Sequence, residues 1–302
     1  MPRVIEPIDD TIASVAECVD ELRAKGFEPA DEDSLQHAAG LLQRLGNDRA
    51  FLGDLLVEEL SRGTRDDEGM ASYGPQVIML SPAGAAPDFF LRANIWPSPD
   101  EHTMRASGAS TFVYGVPHDH NFDFLTLGYF GPGYWSDYYE YDYETVEGWR
   151  GEPVNLRFVE RTRLEEGKIM HYRAHRDIHA QHAADALSVS INVVHAGAAQ
   201  GWLDQYRFDL DGRRVTGILN NGASEAFVRI AVGLGSEEAQ DLAWRFGKGH
   251  PSDRMRLAAW SALASASSDR HAVWREAERA GSRLVAAEAR ARRRELEGIP
   301  AG

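Results

Sequence analysis

Ten short β-rich runs follow one another between residues 74 and 220, and they limit the fold of this chain more than any other feature. Turn sequences such as DG and GPG separate the runs, and no helical period lies between them. The crossover helices that a parallel sheet needs are therefore missing, and the pattern predicts an antiparallel sandwich or barrel. The runs are QVIML, DFFLRANIW, STFVYGV, FDFLTLGYF, YWSDYYEYDYE, VNLRFVERTRL, KIMHYRA, ALSVSINVV, QYRFDLDG and RRVTGIL.

Helical patterns flank the β-rich region on both sides. Within residues 9–62 apolar residues recur at helical spacing, which predicts about three helices; Gly26 is expected to end the first and Ser34 to cap the second. After Gly222 the helical pattern returns, in segments that begin near Ser or Pro. These later helices are expected to cap the barrel or to form a homodimer surface. The chain is thus predicted to be mainly β with flanking helices, divided into residues 1–73 (helical), 74–221 (barrel) and 222–302 (helical).

Composition and charge exclude several classes of protein. A hydrophobic fraction of 43% is that of a folded globular chain, and a net charge of −15 argues against a nucleic-acid partner. No apolar window approaches the roughly 18 residues of a membrane span, and the start MPRVIEPIDD lacks the apolar core of a signal peptide. The single cysteine, Cys18, excludes a disulfide framework and is expected in the core. These features predict a cytoplasmic protein without a membrane partner.

Histidines are enriched in the β-rich region. Two of them, His118 and His120, lie one residue apart in GVPHDHNFDFLTLGYFGPG. Alternate side chains of a β-strand share a face, so the two imidazoles would point the same way and could bind one metal ion. A solvent-facing pair on a half-buried strand is the alternative. Seven of the eleven histidines lie between residues 118 and 195: His118, His120, His171, His175, His179, His182 and His195.

Residues 90 to 215 resemble a cupin. The first motif of that family contains an HxH pair and a closing glycine, which here are His118, His120 and Gly131. Six residues separate Gly131 from Phe124, which stands where most cupins carry a glutamate ligand. The resemblance implies a cupin-type double-stranded β-helix barrel that holds a metal ion.

The second cupin motif places another histidine about eleven residues after a glycine. His179 follows Gly167 by twelve residues in EEGKIMHYRAHRDIHAQ, so the resemblance implies His179 as the third metal ligand. His175 stays open as an alternative, because regular alternation would place it on the same face as His179.

A ligand pattern without this glutamate resembles that of the thiol dioxygenases, the cysteine dioxygenase-like cupins. The members of that branch hold iron with three histidines and no carboxylate. VPHDHNFDFLTLGYF and IHAQHAADALSVSINVV resemble the two motifs of that branch. Its members also bind the substrate carboxylate with an arginine, which FFLRANIW supplies as Arg92. The branch's cysteine–tyrosine cross-link has no cysteine here, and its tyrosine position falls near Val194 or His195. Arg92 and His195 are the candidate catalytic residues.

The resemblance implies a non-heme Fe(II)-dependent dioxygenase that uses O₂ on a small polar, amino-acid-like molecule. Three neutral imidazoles leave coordination positions open, although such ligands suit Zn, Ni and Cu as well. A zinc hydrolase with Asp123 or Glu140 as general base is one alternative, although strand alternation turns Asp123 away from the histidine pair. A non-catalytic cupin that binds a ligand or metal, with a helical interaction surface, is another.

Overall fold

The computed structural model describes residues 2–7, 9–62, 76–81, 88–220 and 222–298. The chain forms two compact units, the first from residues 1–143 and 155–200 and the second from residues 144–154 and 201–302. Among the described residues, no helix is long and apolar enough to cross a membrane.

Three helices open the first unit after the short strand β1 (Arg3–Ile5): α1 (Val15–Lys25), α2 (Glu32–Asn47) and α3 (Phe51–Arg62). Helix α1 ends at Gly26, as predicted, where φ is 79° and glycine meets no Cβ penalty. Helix α2 begins before the predicted Ser34. Its N-cap is Asp31, because the Asp31 side chain accepts the backbone N–H of Ser34 at 2.8 Å.

The other strands of the first unit are β2 (Val77–Met79), β3 (Phe89–Trp96), β4 (Phe124–Phe130), β5 (Tyr134–Glu140), β6 (Arg157–Leu164), β7 (Ile169–Tyr172), β8 (Asp177–Gln181) and β9 (Ser188–His195). They form a six-stranded sheet of order β1-β7-β4-β9-β3-β2 and a three-stranded sheet of order β6-β5-β8. All pairings within these sheets are antiparallel, as predicted.

The two faces of the six-stranded sheet line different cores. On one face, Leu91, Leu125 and Val193 are fully buried in a cluster with residues of α1 and α2. The opposite face joins a second cluster with the three-stranded sheet, in which the hydroxyl groups of Tyr138 and Tyr172 lie 2.6 Å apart. Because residues of a strand alternate between faces, this arrangement decides which side chains can reach the space between the sheets.

One predicted strand is wrong. The run STFVYGV forms no strand; a 3₁₀ turn over Ala109–Phe112 follows the short helix α4 (His102–Ser107). Gly108 and Val113 both have positive φ, 81° and 61°, so an extended backbone cannot continue through this segment. Strands β1 and β8 were not predicted.

The second unit contains a hairpin and helices. The predicted runs QYRFDLDG and RRVTGIL form β10 (Tyr206–Asp209) and β11 (Arg214–Ile218), which pair with each other. The helices expected after Gly222 are α5 (Ala223–Gly233), α6 (Glu237–Gly249), α7 (Asp253–Ala266), α8 (Arg270–Ala277) and α9 (Arg283–Leu296). They enclose an apolar core of their own around Trp260.

Candidate metal centre

An extended segment before β4 carries His118 and His120. The backbone of His118 exchanges two hydrogen bonds with that of His179 on β8, at 3.1 and 3.0 Å. Directly opposed residues of an antiparallel pair project to the same side. His120 is two residues after His118, so in an extended segment it projects to that side as well. The backbone therefore sends all three imidazoles to one face, as the HxH spacing predicted for the first two.

The three rings meet through their Nε2 atoms. Nε2 of His179 lies 3.0 Å from Nε2 of His120 and 3.1 Å from Nε2 of His118, and the candidate ligand atoms of the cluster all lie within 4.8 Å of one another. Two nitrogens bound to one ion at about 2.1 Å and at a right angle would be roughly 3 Å apart. The arrangement can therefore bind a transition-metal ion after small side-chain adjustments.

The protonation of the rings suits coordination. Nδ1 of His118 lies 2.7 Å from the carbonyl oxygen of Val116, which only accepts hydrogen bonds, so Nδ1 donates and the Nε2 lone pair stays free. Burial lowers the pKa of His118 to about 4, and burial lowers the pKa of His120 and of His179 well below the ordinary value. All three imidazoles are thus neutral at pH 7, the form that binds metal.

No carboxylate joins the three histidines within the described ranges. Asp119 is buried but accepts a hydrogen bond from the Tyr141 hydroxyl. Asp123 points to the other side of the sheet, as strand alternation predicted, where its Oδ1 lies 3.0 Å from Nε2 of His171. Glu140 is paired with Arg173 at 2.8 Å. The two predicted candidates for a general base, Asp123 and Glu140, are therefore both engaged outside the cluster.

Phe124 contributes an apolar wall at the position of the cupin glutamate. Its ring centroid lies 4.8 Å from that of His120, and its ring stacks on Tyr172 at 4.5 Å. The ring centroid of Phe122 also lies 4.8 Å from that of His120, and it is 5.8 Å from that of Phe124. An anionic ligand is thus absent from this position, and a metal ion held here by three neutral histidines would keep its full charge.

Arg92 lies on the sheet face that carries Phe124. The register pairs Arg92 with Asn192 and Asn192 with Thr126, which is two residues from Phe124 and shares its face. The guanidinium carbon lies 5.9 Å from the ring centroid of Phe122. Burial lowers the pKa of Arg92 to about 10, which still leaves the side chain cationic at pH 7.

Arg92 makes no ion pair with any carboxylate of the described residues. Its buried Nε also has no hydrogen-bond partner among these residues. The Oδ1 atoms of Asn94 and Asn192, on the same sheet face, are also buried and unpartnered within the described chain. Buried polar groups are ordinarily hydrogen-bonded, and a buried charge is ordinarily paired. This group of side chains therefore matches an anionic molecule that can also donate hydrogen bonds.

Two other predicted histidines lie elsewhere. His195 is on the opposite face of the sheet from Arg92, because it is three residues from Asn192, and its ring contacts Phe27 at 6.1 Å. The structure thus does not bring His195 to the cluster, and the prediction of a catalytic role for it finds no support here. His175 is not in the cluster either; its ring lies 4.1 Å from that of Tyr143.

Gln181 was missed by the sequence analysis. It follows His179 by two residues on β8, so it shares that face, and its Nε2 lies 3.3 Å from Nε2 of His179. The signal was alternation along DIHAQ, but this segment was not predicted as a strand. Ser190 on β9 accepts the indole N–H of Trp96 at 2.9 Å.

Comparisons with known proteins do not assign the chain to a family. No family profile matches it, and no curated protein does. Among solved structures it is similar to salicylate 1,2-dioxygenase from Pseudaminobacter salicylatoxidans, at 12% identity and a TM-score of 0.27 over 48% of this chain and 33% of that one. The gentisate adduct of that dioxygenase is 12% identical, with a TM-score of 0.29 over 57% of this chain and 36% of that one. A structure of DMSP lyases is 14% identical, with a TM-score of 0.26 over 68% of this chain and 84% of that one.

The chain spans about a third of the length of the dioxygenase structures. TM-scores this low carry no argument about fold or activity. Any proposal of a function therefore depends on the geometry of the three histidines and their surroundings.

Proposed function

We propose that this chain is a cupin-type, non-heme Fe(II)-dependent dioxygenase that acts on a small, polar, amino-acid-like molecule. The convergence of three neutral, buried imidazoles between two antiparallel sheets, without a carboxylate among the described residues, carries the proposal. His118, His120 and His179 would hold the metal ion. When bound, the ion would supply open coordination positions for O₂ and substrate and the redox chemistry of iron.

The residues around the cluster have separate tasks in this proposal. Arg92 binds the substrate carboxylate, since it is a cation without an anionic partner in the described chain. Asn94 and Asn192 offer carbonyl oxygens to a donor group of the same molecule. Phe122 and Phe124 limit the access of water to the cluster, because their rings pack directly against His120.

Oxygen consumption with matched substrates tests the activity. The panel contains thiols and amino acids, each compared with the amine that lacks the carboxylate. We expect Fe(II)-dependent O₂ uptake with at least one acid and much less with its decarboxylated counterpart. Absence of metal-dependent uptake with every member would favour the non-catalytic ligand-binding cupin over the enzyme.

The Arg92→Gln variant tests the carboxylate anchor. Loss of a charge-assisted hydrogen-bond pair should raise KM for the active acid by about 10- to 100-fold, while KM for the corresponding amine changes little. Arg161→Gln is the matched control, because Arg161 pairs with Asp137 on the exposed side of the three-stranded sheet. Equal effects of Arg92→Gln on acid and amine would contradict the anchoring role.

A further inference from the structure

Gln181 is a buried amide in direct contact with the three-histidine cluster. Only 3% of the residue is exposed, and its Nε2 lies 3.3 Å from Nε2 of His179. Its Oε1 is buried and has no hydrogen-bond partner among the described residues. Buried glutamine side chains are ordinarily satisfied at both ends, so this half-satisfied amide calls for an explanation.

Metal binding removes the acceptor that Gln181 now faces. Nε2 of His179 is the atom that points at the other two imidazoles, and its lone pair is the one that coordination would use. The same lone pair cannot also accept a hydrogen bond from Gln181. In the loaded site the N–H groups of this amide would therefore lose their acceptor, and a buried unsatisfied amide costs free energy.

The position of Gln181 limits what could replace that acceptor. Gln181 is opposite Ser136 on β5 and lies one alternation beyond His179, so its side chain projects between the sheets. Nε2 of His179, one of the three candidate ligand nitrogens, lies beside it. A molecule bound at a coordination position next to His179 would lie within reach of the amide.

We propose that Gln181 is a recognition residue whose side-chain N–H donates a hydrogen bond to the molecule bound beside His179. The inference rests on the proposed function, because it requires a metal ion on the three histidines. It adds a specificity requirement: the group that binds next to His179 must accept a hydrogen bond, as an anionic oxygen, nitrogen or sulfur atom does.

Azide binding to the cobalt(II)-loaded protein tests this role without turnover. Azide is an anion that only accepts hydrogen bonds, and visible absorption of cobalt reports both the ligand set and azide binding. Gln181→Leu keeps a side chain of similar size but removes the donor. We expect it to raise the Kd for azide by about 10- to 100-fold, with the azide-free cobalt spectrum unchanged.

Two further variants complete the experiment. Gln181→Glu introduces an ionised side chain that cannot donate, so azide binding should weaken at least as much as in Gln181→Leu. Gln76→Leu is the matched control, because Gln76 is buried but donates to the Phe112 carbonyl at 3.1 Å and should leave azide binding unchanged. An intact cobalt spectrum in each variant shows that the site has folded.

Each other outcome overturns the inference. An azide Kd in Gln181→Leu within about twofold of the wild-type value would show that the amide does not contact the bound molecule. A changed spectrum before azide is added would make Gln181 a metal ligand instead. If the wild-type protein binds no cobalt, the proposed function fails and this inference fails with it, whereas cobalt binding with azide affinity insensitive to Gln181 refutes the inference alone.

Discussion

Replacing His179 by alanine is expected to weaken transition-metal binding by at least about 100-fold. Loss of groups that only orient metal ligands typically costs 10- to 100-fold in affinity, so loss of a ligand should cost no less. His179 is central to the cluster, since its Nε2 is the atom close to both His118 and His120. Competition with a chelator of known affinity measures the change.

His182→Ala is the matched control for this experiment. His182 is the next histidine along the chain, but it pairs with Asp137 at 2.9 Å and is substantially exposed. We expect His182→Ala to retain metal affinity within about threefold. Equal losses in both variants would show that metal binds away from the cluster.

Replacing Arg254 by methionine is expected to lower the free energy of unfolding by about 3–5 kcal/mol. Arg254 is 7% exposed, contacts the carboxylate of Asp204 and pairs with Glu225 at 2.8 Å. The substitution would leave the Asp204 carboxylate, which is itself buried, without its cation. Urea denaturation followed by circular dichroism measures the effect.

Arg292→Met makes the same change at an exposed ion pair. Arg292 lies 2.9 Å from Glu295 on α9, and both side chains are about half exposed. Surface pairs contribute little, so this variant should lose at most about 0.5 kcal/mol. Similar losses in the two variants would contradict the assignment of a buried, stabilising ion-pair network to Arg254.

The antiparallel strands and the helices could be predicted because they depend on local patterns. Alternation and turn residues indicate strands such as β4, and apolar spacing with a stop at Gly26 indicates α1. The strand predicted at STFVYGV is wrong for a different local reason. Its β-branched and aromatic residues favour a strand, but Val113 has a positive φ, which a valine side chain does not indicate.

The candidate ligands could be proposed from spacing, whereas their surroundings depended on strand pairing. The HxH pair shares a face in any extended segment, but its contact with His179 requires the backbone pairing of that segment with β8, which was not predicted. Gln181 was missed for the same reason. The catalytic role of His195 stays a prediction, and its odd separation from Asn192 places it on the other face of β9.

Anaerobic titration of the metal-free wild-type protein with Fe(II) tests the central claim most directly. With one site made of three neutral histidines, we expect binding to saturate at about one equivalent, and the His179→Ala variant to bind almost none under the same conditions. Binding of less than about 0.1 equivalent of Fe(II) by the wild-type protein would contradict the three-histidine metal centre, and with it the proposed dioxygenase.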